Sequence, residues 1–297
     1  MSFNLENTYV GTVIRPPSEA ESLIFQVTLG CTDNRCIFCP AYKDKPFRTK
    51  DLSVIRKEMS AAAGAYPDTR KIFLADGDAL ALPIDTLKAI MDNAIKLFPN
   101  LTKVSVYGSI KSLENKSVSD LKELKERKFG TAYLGFETGD EAVYKLIRKY
   151  GSPQGNVETC LKIKEAGIKT NVTVILGLGG KKHSKDHAIN TAKILNQSQP
   201  DQIAALTLMV APNTPLFDMV RNKDFEELES FEYLEELHSL IENMDDFKCL
   251  FFSNHASNYF PISARFPKDR EFILNDLNEV IKDRNKSCLR PEFSRGL

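Results

Sequence analysis

Three cysteines fall within one short run, Cys31-Thr-Asp-Asn-Arg-Cys36-Ile-Phe-Cys39. Thiolates this close together are soft ligands that suit an iron–sulfur cluster or zinc. A 4Fe–4S cubane held by only three cysteines keeps one iron open for a substrate or cofactor, whereas closed electron-transfer clusters take four protein ligands. No fourth cysteine lies near the triad. Cys160, Cys249 and Cys288 are scattered and read as buried small apolar residues. Two alternatives stand beside the cluster. One is structural zinc, which normally closes with four ligands, although the nearest histidine in sequence is His183. The other is a set of thiols that bind no metal.

The elements that must position this loop follow a regular rhythm. The β-rich run at 23–29 precedes the cysteines, and an amphipathic stretch at 51–66, with Asp51 as a candidate N-cap, follows them. Strands are then expected at 71–75, 103–108, 131–137, 171–176 and 203–210. Helices are expected at 84–98, 117–129, 140–150, 156–167 and 187–197. Short β runs alternating with helical stretches are the mark of βα units and a parallel sheet. Six such units predict an α/β fold, a partial (β/α)6 TIM-like barrel, with a doubly wound sheet as the arrangement that periodicity does not separate from it. The barrel is expected over residues 1–220. Residues 221–297 read as a mostly helical C-terminal extension covering the active site, with a strand-like run at 248–253 and a last helix near 269–283. The cysteine loop then sits at the C-terminal end of a barrel strand, where barrel active sites are built.

In this setting the triad resembles that of the radical S-adenosylmethionine (SAM) superfamily, in which an aromatic residue precedes the third cysteine. Phe38 supplies it here, while the four residues between Cys31 and Cys36 depart from the commoner three. The resemblance covers about residues 20–215. It implies a 4Fe–4S cluster on Cys31, Cys36 and Cys39, with SAM chelating the open iron and cleaved by one electron to methionine and a 5′-deoxyadenosyl radical. It further implies an external electron donor of flavodoxin or ferredoxin type.

Three other strand ends are similar to the family's cofactor-binding segments. Ala75, Asp76, Gly77 and Asp78 stand where the family has a Gly-Gly-Glu-like stretch that meets the SAM amino group, through backbone carbonyls or a carboxylate. Glu137, in the run Gly-Phe-Glu-Thr-Gly, matches a strand end whose acid contacts SAM. Arg148 or Lys149 could pair with the SAM carboxylate. Gly177, in the run at 174–180, matches the segment lying against adenine; its glycines do not fit a dinucleotide fingerprint. Each of these has a plainer reading as a turn, a helix-end acid or a solvated charge.

Outside the barrel pattern, the segment 251–261 gathers Asn254, His255, Asn258 and Tyr259. His255 and Tyr259 can move protons and are expected to face the substrate; the plainer reading is a turn capped by Asn and Ser. His183, His187 and His238 read as surface residues. Forty basic residues balance forty acidic ones, which argues against the charge attraction that dominates nucleic-acid binding and leans towards a small-molecule substrate. The porphyrinogen-oxidase-like and tRNA-modifying branches, and a non-enzymatic iron–sulfur or zinc module, are the rival functions. The sequence carries no apolar run of membrane-spanning length and its start lacks a signal-peptide pattern, so a cytoplasmic protein is expected.

Overall fold

The computed structural model describes residues 8–296. They fall into two compact units. The first contains the described residues up to Asn34 with Ala41–Leu134 and Leu161–Thr170; the second contains Arg35–Pro40, Gly135–Cys160 and the residues from Asn171 onward.

In the first unit, β1 (Leu23–Gln26) is followed by the two-residue strands β2 (Thr28–Leu29) and β3 (Arg48–Thr49), which pair with each other antiparallel. Next come α1 (Leu52–Ala65), β4 (Lys71–Ala75), α2 (Ile84–Leu97), β5 (Lys103–Gly108), α3 (Ile110–Leu113) and α4 (Val118–Glu126). β6 (Phe129–Glu137) begins in this unit. The strands β1, β4, β5 and β6 pair in parallel in that order. Local chemistry sets the helix starts. Asp51 accepts a hydrogen bond from the Ser53 amide to cap α1, and Ser117 and Asp120 form a reciprocal capping box on α4. Phe25, Phe73, Phe98 and Phe129 are wholly buried. Tyr107 and Tyr133 meet Phe73 edge-on, at ring separations of 4.9 and 5.7 Å. The buried Glu19 carboxylate is satisfied by Lys103, Ser105 and Tyr133 at 2.7 to 2.9 Å.

In the second unit, α5 (Glu141–Leu146) is capped by Asp140, whose side chain accepts from the Ala142 and Val143 amides. After α6 (Pro153–Glu165), whose residues from Leu161 belong to the first unit, come β7 (Lys169–Leu176), in this unit from Asn171, α7 (Gly180–Ser198), β8 (Gln202–Thr207), α8 (Pro215–Arg221) and α9 (Ser230–Glu242). β9 (Cys249–Phe252), β10 (Ser263–Phe266) and α10 (Arg270–Asp283) complete it. β7, β8 and β9 are parallel and β10 returns antiparallel to β9. The fold is thus α/β with a mainly parallel sheet. Among the described residues no helix is long and apolar enough to cross a membrane.

Several elements differ from expectation: the strand expected at 203–210 ends at Thr207, the helix expected at 140–150 ends at Leu146, and α3, α8 and β10 lie outside the expected elements. The run at 23–29 breaks at Val27, whose amide donates to the Ala75 carbonyl at 2.6 Å while its carbonyl accepts from Lys50. α7 begins at Gly180 rather than His187, because its first two turns, Gly-Lys-Lys-His-Ser-Lys-Asp, carry no apolar periodicity to betray a helix.

Candidate cofactor site

The first unit brings the end of β4 hard against the start of the cysteine loop. A Cβ on Gly77 would lie 2.6 Å from a Tyr42 ring carbon, 2.9 Å from Cys31 Cβ and 3.0 Å from the Gly30 carbonyl oxygen, so only glycine fits. On either side of it stand Asp76 and Asp78, both fully buried. Asp76 Oδ2 accepts from Lys45 Nζ at 2.9 Å, the Gly30 amide at 3.0 Å and Gln26 Nε2 at 3.3 Å. Asp78 Oδ2 accepts from Thr32 Oγ1 and, at 2.7 Å, from Ser109 Oγ. Among the described residues, Oδ1 of each aspartate has no hydrogen-bond partner. Burial pushes the Asp78 carboxyl up, against hydrogen bonds from Thr32 and Ser109 that pull it down. Burial, and then the Asp76 charge, likewise raise the Tyr42 phenol.

The second unit holds Cys36, Phe38 and Cys39. Ile37 between them is anchored through both backbone groups: its amide donates to the Ile147 carbonyl at 3.0 Å and its carbonyl accepts from Leu216 at 3.1 Å. Phe38 is buried. No cysteine in the chain is in a disulfide. Cys160 and Cys249 are buried as expected, whereas Cys288 is exposed because it lies in a short surface 3-10 turn near the chain's end.

Glu137 adopts φ +65° at the end of β6. A Cβ on Gly135 would collide with Glu137 Oε1 at 2.1 Å, and one on Gly139 would meet the Asn190 carbonyl oxygen at 2.2 Å. The glycines around the acid therefore make room for its carboxylate and for α7. Lys149, with Nζ 3.3 Å from Glu137 Oε1, is the cation brought to this acid; Arg148 is exposed.

Gly177 adopts φ +85°, and its Cβ would stand 2.3 Å from a Tyr233 ring carbon. Its amide donates at 2.6 Å to Glu236 Oε1, a buried carboxylate from α9 that also takes hydrogen bonds from Ser184 and, at 3.0 Å, from His187 Nδ1. The expectation that His187 lies on the surface fails: the ring is 1% exposed. α7 presents it inward to Glu236, an acid that the sequence reading missed.

His255 Nδ1 accepts from the Ser257 amide at 3.1 Å and contacts Ser257 Oγ at 2.9 Å, and burial, then Arg290, hold the imidazole below its ordinary value. Ser257 and Asn258 bond the β8 end, with Asn258 Nδ2 donating to the Ala205 carbonyl and Thr207 Oγ1 donating to Asn258 Oδ1. Tyr259 donates to Glu292 at 2.6 Å, lies 5.7 Å from the Tyr233 ring and is covered by the Arg295 guanidinium at 4.0 Å.

Comparison with known proteins decides the family, since the radical SAM superfamily pattern matches residues 25–195. The chain belongs to the radical SAM superfamily. An uncharacterised protein of Methanocaldococcus jannaschii is 22% identical over 271 residues, 87% of this chain and 83% of its own. The heme chaperone HemW of Bacillus subtilis is 23% identical over 57% of this chain and 45% of its own. Among solved structures, methylornithine synthase PylB has a TM-score of 0.51 at 14% identity, over 75% of this chain and 63% of its own. The radical SAM methyltransferase TsrM of Kitasatospora setae, solved with cobalamin and a 4Fe–4S cluster, has a TM-score of 0.54 at 14% identity, over 68% of this chain and 39% of its own. The chain thus spans less than two thirds of HemW and of either solved structure. At such identities the structural likeness establishes the fold, the partial (β/α)6 barrel of radical SAM enzymes.

Radical SAM enzymes bind a 4Fe–4S cluster and SAM, and the residues present fit both. The triad's thiols are uncommitted to disulfides. Asp78 Oδ1 is a buried acceptor that wants a donor, and an ammonium group provides one. Among the described residues no three His, Cys, Asp or Glu side chains are gathered for a single metal ion. A cubane distributes its thiolates over separate irons and does not demand that geometry.

Proposed function

We propose that this radical SAM protein binds a 4Fe–4S cluster through Cys31, Cys36 and Cys39, binds SAM across the strand ends, and generates a SAM-derived radical that acts on a small-molecule substrate. The observation that carries the reading is Cys31, the first of the three cysteines, beside the Asp76-Gly77-Asp78 turn, where glycine permits close approach and a buried carboxylate oxygen lacks a donor. When bound, cluster and SAM supply one-electron cleavage of a carbon–sulfur bond. The protein's own groups bind, orient and exclude water. Asp78 Oδ1 accepts from the SAM amino group, beside the close backbone approach that Gly77 allows. The Ala75 carbonyl takes one hydrogen bond from the Val27 amide and keeps a second lone pair for the SAM amino group. Glu137 accepts from SAM hydroxyl or amino donors, with Lys149, or Arg148 beside it, available to the carboxylate. Phe38 shields the third cysteine from water, and the Gly177 turn, held by Glu236 and Tyr233, presents flat backbone to adenine.

His255 and Tyr259 face the substrate in this reading, and the extension at 221–297 covers the radical against stray hydrogen donors. An external electron donor of flavodoxin or ferredoxin type supplies the electron, in a reducing cytoplasm that keeps the thiols free of disulfides. The decisive experiment is anaerobic reconstitution followed by SAM and a strong reductant. The expected result is about four irons per chain and release of 5′-deoxyadenosine. Full iron loading in Cys36→Ala, or a reduced cluster whose spectrum ignores SAM, would refute the assignment.

A further inference from the structure

Asp76 occupies a position where the radical SAM resemblance predicts a contact to SAM, yet its resolved bonds run the other way. Its Oδ2 is shared by Gln26 on β1, the Gly30 amide immediately before Cys31, and Lys45 beyond Cys39. Lys45 is itself buried, with 8% of its side chain exposed against none for Asp76, so the pair is a desolvated ion pair. Lys45 Nζ spends a second hydrogen bond, 2.7 Å, on the Thr12 carbonyl. Gln26 in turn pairs with both backbone groups of Val10, accepting from its amide at 2.9 Å and donating to its carbonyl at 3.1 Å. One carboxylate at the tip of β4 therefore ties together the entry and the exit of the cysteine loop and the chain segment that runs beside β1. Asp78, one residue past Gly77, bonds Thr32 on the entry side and Ser109 at the start of α3.

We infer that Asp76, through Oδ2, forms with Lys45 a positioning pair that clamps both ends of the cysteine loop onto β4. The inference rests on the cluster assignment for its purpose, but the clamp itself exists without any metal. A buried pair of this kind has a sharp energetic signature: loss of one partner strands the other charge, whereas loss of both is far better tolerated. It also explains why aspartate stands where a SAM-contacting glycine would serve, since glycine would leave Lys45 without a counter-ion.

The test uses the metal-free chain and reads the alkylation rate of each cysteine by peptide mass spectrometry with iodoacetamide. In Lys45→Met the exit of the loop is released, and alkylation of Cys31, Cys36 and Cys39 should accelerate roughly tenfold or more, as loss of a charge-assisted hydrogen bond dictates. Cys160 and Cys249, both buried, should keep their slow rates and so report that the fold is intact. Lys45→Arg, which keeps the cation, should restore most of the protection. Lys45→Met/Asp76→Asn should be closer to the parent than Asp76→Asn alone. After reconstitution, Lys45→Met should lose iron faster while the SAM concentration that half-perturbs the remaining reduced cluster stays within about twofold. Unchanged triad alkylation in Lys45→Met would overturn the clamp. Normal triad protection in Asp76→Asn with weakened SAM binding would return Asp76 to the cofactor. Neither result touches the cluster assignment, which Cys36→Ala tests separately.

Discussion

Replacing Glu236 with alanine removes the acceptor that holds the Gly177 turn. Three donors converge on this carboxylate: the Gly177 amide at 2.6 Å, His187 Nδ1 at 3.0 Å and the Ser184 hydroxyl. A carboxylate only accepts, so His187 must carry its proton on Nδ1. Ser184 is half-exposed and can turn to water, but the Gly177 amide and the His187 ring are buried. Each buried donor left without a partner costs about 1–3 kcal/mol, and water entering the vacated space recovers part of that, so the expected loss is about 2–4 kcal/mol. With a urea slope of about 2 kcal/mol per molar, the unfolding midpoint should fall by about 1–2 M. Glu236→Gln keeps one amide oxygen for Gly177 and should lose about half as much. Hydrogen exchange of the peptide spanning 174–180 should accelerate in parallel, because the Gly177 amide is the first donor to be exposed. A midpoint unchanged within about 0.2 M, with exchange unaltered, would show that the three contacts carry no net energy and would refute the reasoning.

Gly177→Ala should destabilise by about 2–4 kcal/mol, part of it backbone strain at φ +85° and part the clash with Tyr233, and Tyr233→Ala should relieve only the second part in a double-mutant cycle read by urea unfolding. Gly135→Ala should barely move stability, since the colliding atom is the free end of Glu137, yet it should break the Glu137–Lys149 contact and weaken SAM binding as Glu137→Ala does, measured by titration of the reduced cluster. His255 is held below its ordinary value near 6.5, so the unfolded chain takes up a proton there first; stability should fall as the pH drops below about 6.5, and His255→Gln should flatten that slope in unfolding measured from pH 7.5 to 5.5. Cys160→Ala should leave iron content intact after reconstitution, because the residue is an interior filler whose thiol donates to the Ser198 carbonyl.

Much of this architecture could be read in advance because it is written locally. The strands at 71–75 and 103–108 coincide with β4 and β5, and the helix expected at 51–66 lies over α1 with Asp51 as its cap. Periodicity and capping are properties of neighbouring residues, and neighbours are visible in a sequence. β10 and the early start of α7 escaped because their stabilisation comes from elsewhere. β10 is an antiparallel strand on the rim of β9, and the first turns of α7 are fixed by contacts such as the Lys181 amide to the Glu226 carbonyl.

The same distinction separates the parts of the candidate site. Gly77, Gly135 and Gly177 stood out by type and place, and in each case a real obstruction forbids a side chain. What the sequence could not disclose is the identity of the obstruction. Gly177 is pressed by Tyr233, and its amide is claimed by Glu236, both on a helix more than fifty positions later. Helix α9 shows an ordinary amphipathic pattern in which Glu236 would be placed among solvated acids; only its packing against α7 turns that acid inward, where His187 awaits it. Asp76 presents the converse case. Its type and place suggested a ligand contact, but they could not show that one of its oxygens is held by a lysine thirty-one positions earlier in the chain. The motif therefore localises the chemistry, while the way Asp76 is held depends on Lys45, a residue outside the motif.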